Sequence, residues 1–494
     1  MIKKKLTSLI LALLLLLPLV ACGNSGTDSG KVNETTAIPT TEETTEAETT
    51  RDFPEYQLDG EGRDLNILYF DPVAFCGWSD QIACDVNVDE ETGDLLGDAV
   101  YLRNRKVEEL LNITIKEQAY TDRSTANKKI GAQVMAGSAD YDICIPQWGE
   151  LKSIIPAGYL TSLDSCLDFS KLWYDQKAEA AFKIIGKTWG AISDMNYMVK
   201  LLSIIIMFNK QIAADYNMGN FYAEVIDKKW TFDRVKELGK LVSADLDGND
   251  IYDKNDRYGF SGQDDAMYEL YQSAGLMFCK PNAEGIPEFA MKSELAVTVL
   301  QDVAAFMNDK AQFFNRQTHG LNIIETENMF IQNQVLFLMR PMQSLLELRA
   351  MEADFGVIPT PLMTEEQENY STSIGYTVSP VCCIPAVVSD LELSAAAIDL
   401  LSAESYYSLN EIFYEVLLNT KILRDDESKI CLDMIYENRL YDPGCAYDFG
   451  GICTNIMAQS KRGPETIASF LEKNESKVQK DIEKFIEGMK SLEG

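Results

Sequence analysis

Short apolar runs alternate with stretches of helical spacing through the first part of the chain. Residues 65–70 (Leu-Asn-Ile-Leu-Tyr-Phe) read as a strand, and residues 94–111 place Leu96, Ala99, Val100, Val107, Leu110 and Leu111 at helical spacing. Residues 113–115 read as the next strand, 126–136 as a helix ending near Gly137, and 141–145 as a third strand. This rhythm predicts an open α/β sheet with helices on its faces. Further helices are predicted near 150–158, 176–185, 231–243, 292–309, 391–402, 406–419, 427–437 and 464–490. Strands are predicted at 335–339 and 355–358, with Phe330 onward as a turn before the first of them. Two more strands, 204–208 and a segment around 374–384, fall between α/β-like halves. That arrangement predicts two lobes joined by crossing strands, with a cleft beyond the carboxyl ends of the strands.

The first residues bear on location. Lys3, Lys4 and Lys5 precede an apolar run, 6–20, that is short for a membrane span and fits a secretory signal. It ends Leu19-Val20-Ala21-Cys22-Gly23, which resembles a bacterial lipobox; the resemblance implies cleavage before Cys22 and a lipid on that residue. Residues 1–22 are therefore expected to be the lipoprotein signal and its Cys. Residues 23–62 form a Gly, Ser, Thr and Glu-rich tether.

The chain has 494 residues, enough for two or three domains. Its 44 Lys and Arg against 77 Asp and Glu give a formal charge of -33, which repels nucleic acid. No Gly-x-Ser-x-Gly elbow, His-Glu-x-x-His pair or Gly-rich phosphate loop with Lys occurs, so no enzymatic activity and no organic cofactor are expected. The only His is His319, which leaves no His-rich zinc site. Among the cysteines, Cys76 could pair with Cys84 and Cys445 with Cys453, while a bridge between neighbours Cys382 and Cys383 would be strained.

The sharpest local chemistry is the loop 245–256. Asp245, Asp247, Asn249, Asp253 and Asp256 stand at positions 1, 3, 5, 9 and 12, and Ile251 offers a backbone carbonyl at position 7. This is the spacing of an EF-hand calcium loop, since Ca²⁺ takes six to eight hard oxygens. Asp250 replaces the usual Gly at position 6, and Asp256 is a shorter arm than the usual Glu. A structural Ca²⁺ site and a metal-free acidic turn both remain open at this point.

Several segments carry a wider resemblance. They are 91–115, Tyr141-Asp142-Ile143 with Gly158-Tyr159-Leu160, Met207-Phe208-Asn209-Lys210, Lys229-Trp230-Thr231-Phe232-Asp233, 253–260, 381–384, 401–405 and Asp442-Pro443-Gly444. In this order, behind a lipobox, the chain resembles the extracellular solute-binding lipoproteins of bacterial ABC importers, of the carbohydrate, family 1-like type. The resemblance implies a two-lobed, type II periplasmic-binding-protein-like fold and no catalysis. It implies a permease and a cytoplasmic ATPase as partners, a lipid anchor on the outer face of the cytoplasmic membrane, and a monomer. Its family order puts 63–198 plus 332–375 in the N-terminal lobe and 199–331 plus 376–494 in the C-terminal lobe.

Sugars present apolar faces and a rim of hydroxyls, which aromatic platforms and polar side chains match. Trp78 and Asp80 follow the first strand, Trp148 follows the third, and Arg340 ends the strand 335–339. Asp194 and Asn196 precede one crossing and Tyr376 lies near the other. These seven are the candidate contacts for an oligosaccharide, each with packing as its alternative role. A peptide receptor and a surface adhesin that binds carbohydrate without changing shape are the alternatives.

Overall fold

A computed structural model describes residues 52–78, 85–348, 354–418 and 426–492. The signal, Cys22, most of the tether, Asp80 and Cys84 lie outside the described residues. The first lobe rests on parallel strands β1 (Arg63–Phe70), β2 (Ile113–Tyr120) and β3 (Ile143–Ile145), in the order β2-β1-β3. Leu65, Ile67 and Tyr69 belong to one apolar cluster and Leu68 and Phe70 to another, so both faces of the sheet are covered. Helix Leu95–Leu111 connects β1 to β2. The Asp94 carboxylate caps it by accepting the Gly97 N–H at 2.8 Å, and Asn112 ends it in the left-handed region. Helix Thr125–Ala136 connects β2 to β3 and stops at Gly137. Two further segments extend this sheet by antiparallel bridges, Cys144 to Cys383 and Cys382 to Ala191.

The second lobe holds β4 (Ile204–Asn209), β5 (Tyr258–Gly262), a separate hairpin of β6 (Cys279–Pro281) and β7 (Pro287–Phe289), then β8 (Phe313–Asn315), β9 (Val335–Pro341) and β10 (Phe355–Ile358). Its sheet runs β10-β4-β9-β5-β8. β5, β8 and β9 are parallel, β4 is antiparallel to β9, and β10 is antiparallel to β4. The two lobes thus repeat one pattern. Three parallel strands are followed by an antiparallel one, and that strand enters from the other lobe. Helix Phe232–Val242 lies against β5 by a backbone approach. A Cβ on Gly259 would meet the Gly239 Cα at 2.2 Å, so only glycine fits there.

Strand pairing corrects the expected lobe boundaries. β9 and β10 pair within the sheet of β4, so 335–358 belongs to the second lobe and not the first. Cys382 and Cys383 complete the first-lobe sheet, and helix Leu391–Glu404 buries Leu393, Ala396 and Leu400 with β1 residues, so this part of 376–494 belongs to the first lobe. A fully buried apolar strand records its own burial but not the neighbour it pairs with. Three segments run side by side between the lobes. The Ile204 N–H donates to Ser373 O at 2.9 Å and the Leu440 N–H to Thr372 O at 2.8 Å. The last helix, Ile467–Ser491, touches both bodies, through Asp481 to Lys152 at 3.1 Å and Glu475 to Lys292 at 2.8 Å.

Candidate ligand-binding site

The carboxyl ends of β1, β2 and β3 lead into loops that face those after β5, β8 and β9. Ligands of open α/β sheets sit in such a crevice, and three strand ends from each lobe converge here. Phe75, in the short helix Pro72–Cys76 after β1, stays 39% exposed. The Arg123 guanidinium, after β2, lies 4.5 Å over its ring. Across the groove, Gln263, Asp265 and Arg316 are half-buried. Burial pushes the Arg123 guanidinium down, against the charges of Cys76, Asp265 and Glu150.

The second-lobe wall is a compact polar network. Arg316 donates from Nε and Nη2 to the Oε1 of Gln263 at 2.9 and 2.6 Å, and Arg340 donates from Nη1 to the same oxygen at 3.3 Å. Gln263 in turn donates from Nε2 to Asp265 at 2.5 Å. Burial raises the Asp265 carboxyl, while Arg316 pulls it back. Burial and then Asp265 raise the Glu269 carboxyl well above the usual carboxylate range, while Arg340 pulls it back. Arg340, at the end of β9 as expected, is 4% exposed.

Beside this network a cavity of about 310 Å³ is lined by Arg123, Gln147, Glu150, Tyr376, Tyr447 and Asp448. Glu150 accepts the Tyr120 O–H at 2.8 Å and the Ala126 N–H at 3.1 Å. Burial lifts its carboxyl to about 7. A disulfide, Cys445–Cys453, one of the two pairings open from the sequence, closes one side of the cavity with its Cα atoms 5.0 Å apart. Cys382 and Cys383 carry free thiols.

The other candidates divide. Asp194 and Asn196 line a separate cavity of about 540 Å³, with Asp175, Lys200 and Arg439. Lys200 pairs with Asp194 at 2.6 Å, and Arg439 pairs with Asp175 at 2.7 Å. Trp148 is 2% exposed and lies with its ring centroid 3.9 Å from that of Phe182, so it packs instead of offering a platform. Trp78, 8% exposed, follows the Gly77 turn after β1 and is also packed. Tyr376 borders the smaller cavity, but its hydroxyl accepts the Asp442 N–H at 2.9 Å and donates to Leu440 O, which holds two crossing segments together. The sequence reading missed Phe75, Arg123, Gln263, Asp265 and Arg316. The signal available for Phe75 was its place just past the expected strand 65–70, whereas the expected strand 113–115 stops short of Tyr120, where β2 ends and the loop to Arg123 begins.

In the loop 245–256, oxygen atoms of Asp245, Asp247 and Asp256 lie within 4.8 Å of one another, a group that could hold a divalent cation. Gly248 and Asp250 take left-handed φ of +70° and +62°, which winds the loop inward and shows Asp250 filling the turn expected of glycine. The Asp245 carboxylate accepts the Gly248 and Asp250 N–H groups at 2.7 and 2.8 Å, and Asp256 accepts the Leu246 N–H at 2.9 Å. Burial and the charges of Asp256 and Asp245 raise the Asp247 carboxyl, the response of a carboxylate crowded by like charge. Asn249 and Asp253 turn their side-chain oxygens to the backbone N–H groups of Ile251 and Asn255.

No protein-family model matches the chain, and no curated protein matches it. Solved structures do. An ABC substrate-binding protein from Listeria monocytogenes in complex with cycloalternan superposes with a TM-score of 0.54 at 14% identity, over 85% of this chain and 98% of that one. The GacH receptor of Streptomyces glaucescens, solved unliganded and with acarbose, gives 0.53 at 12% identity, over 87% and 99%. UspC of M. tuberculosis gives 0.56 at 13% identity, over 85% and 100%. With the repeated sheet order and the three crossing segments, these likenesses establish that the chain has the two-lobed type II periplasmic-binding-protein fold.

Proposed function

We propose that the chain is the solute receptor of an ABC importer and that it takes a sugar-type solute, an oligosaccharide, into the groove between its lobes. The observation that carries this is the groove itself: three strand ends from each lobe converge on an exposed aromatic ring, arginines and carboxyl groups. Likeness in fold to structures holding cycloalternan, maltotriose or maltose supports a sugar over a peptide. The function is binding and delivery to a permease, with no reaction assigned to the chain. Cys22 carries a lipid, and the globule works as a monomer on the outer face of the cytoplasmic membrane; the tether ends at residue 52 and not at 62, because Phe53, Tyr56 and Leu58 pack on the first lobe and the Tyr56 hydroxyl donates to Asp399 at 2.8 Å. Among the described residues no helix is long and apolar enough to cross a membrane, which fits an anchor made at Cys22. Ca²⁺ occupies the loop 245–256 through Asp245, Asp247 and Asp256, in a structural role that tightens the turn after helix Phe232–Val242.

A thermal-shift screen of the purified protein against oligosaccharide and peptide libraries tests the reading. A stabilising oligosaccharide that also reduces the radius in small-angle scattering is the expected result. Stabilisation by peptides alone would overturn the sugar assignment, and binding with no change in radius would favour the adhesin.

A further inference from the structure

The second-lobe wall of the groove holds two guanidinium groups on one neutral oxygen. Arg316 and Arg340 together direct three N–H groups at the Gln263 Oε1, at 2.6 to 3.3 Å. Arg340 is 4% exposed, and its Nε and Nη2 have no hydrogen-bond partner. Its closest carboxylate, Glu327, stands 3.9 Å from Nε. Among the described residues no carboxylate comes within ion-pair distance of Arg123 or Arg316, although the charges of Asp264 and Asp265 act on Arg316 from farther off. The carboxyl groups nearby are otherwise engaged. Asp264 accepts from Asn315 and Ser460, both at 2.8 Å, and pairs with Lys461 at 2.8 Å, and Asp265 takes the Gln263 amide. An arginine fork is built to grip two oxygens of an anion, and an amide oxygen serves two such forks poorly.

We propose that the solute is an acidic sugar, and that the carboxylate of a uronic-acid ring displaces the Gln263 Oε1 to bridge Arg316 and Arg340. Gln263 is half-buried and can swing aside, which leaves the pair of guanidinium groups to the ligand. Arg123 stands on the opposite wall, where it adds positive charge to the mouth. This inference rests on the sugar-receptor reading and narrows its substrate class.

The test is calorimetric titration of the purified protein with matched panels: uronic-acid oligosaccharides such as trigalacturonate, neutral ones such as maltotriose, and sulfated or phosphorylated sugars. A uronic-acid member should bind about 100-fold more tightly than its neutral counterpart, the scale of charge-assisted hydrogen bonds. Raised salt should weaken only the acidic ligand. Arg316→Gln should abolish that preference while leaving the melting temperature near that of the parent. Arg123→Gln should lessen it and serves as the second variant should Arg316→Gln fold poorly. Neutral sugars binding as well as or better than acidic ones would overturn the inference and leave the receptor reading standing. Binding confined to sulfated or phosphorylated members would overturn the carboxylate assignment. No binding by any panel would sink both.

Discussion

The Glu150 carboxyl should set the pH dependence of stability near neutrality. It is 5% exposed, and burial raises it from the ordinary 4.5 to about 7. A raised acid binds its proton more tightly folded than unfolded. Its contribution is therefore fully present below about pH 4.5 and is lost as the pH climbs through about 7. The shift corresponds to on the order of 3 kcal/mol across that window, with little discount for solvent because the group is enclosed. Asp85 and Asp442, both fully buried, are raised to about 6 and act with the same sign, but they finish titrating earlier. His319 works the other way: burial lowers its imidazole, so its contribution grows as the pH rises through the ordinary histidine range. Asp265 and Glu269, also raised by burial, act with the same sign, so Glu150 supplies one part of the downward slope between about pH 4.5 and 7. Other charges bear on the group: Arg123 across the cavity mouth and the Tyr120 hydroxyl that donates to it. Glu150→Gln keeps the shape, and the Tyr120 hydroxyl can turn to suit an amide. Urea melts at half-unit steps from pH 4.5 to 8 should show the parent losing stability and the variant falling less steeply up to about pH 7. An unchanged slope in the variant would refute the argument.

Three further outcomes follow from other sites. Gly259→Ala should cost about 1–3 kcal/mol by driving a methyl into the Gly239 backbone, visible as a lower melting temperature, with Gly262→Ala as a milder control. Chelator should lower the melting temperature of the parent, and added Ca²⁺ should restore it; Asp256→Asn should remove the response, and a parent indifferent to chelator would count against a metal there. Asp175→Asn keeps the oxygen that caps helix Gln176–Phe182 but gives up the charge that meets Arg439 and the Tyr441 hydroxyl. It should destabilise by about 2 kcal/mol, and a double-mutant cycle with Arg439→Gln should show strong coupling; additive losses would mean the pair does not interact.

The helices with caps and regular apolar spacing were legible in the chain. Residues 94–111, 231–243 and 292–309 correspond to helices capped by Asp94, Thr231 and Ser293, and the run 204–208 is β4. The strands β5 and β8 were not legible, because Tyr-Gly-Phe-Ser-Gly and Phe-Phe-Asn are too short to show a period. Helix Ile323–Ile331 has no counterpart among the expected elements, and Phe330, expected to begin a turn, lies inside it; Asn322 and Glu325 form a capping box, a local signal that was available. The lobe assignment failed because pairing partners are non-local. The site fared similarly. Arg340 was placed from its strand end, while Gln263 and Arg316 follow strands too short to draw, so nothing marked them as neighbours. Trp148 was placed correctly at a strand end, but the side its indole faces depends on Phe182, 34 residues later by number.

The interleaved sheets also set an order of assembly. The strands β4, β5, β8, β9 and β10 lie in one continuous stretch, 204–358, so the second lobe's sheet can close as soon as that stretch is available. The first lobe begins earlier but lacks its bridging segment until residues 382–383 emerge, and that segment sits between β3 and Ala191. On the ribosome or at an export channel, the body whose synthesis starts first is thus the one finished last, and its open sheet edge is the surface a chaperone would have to shield.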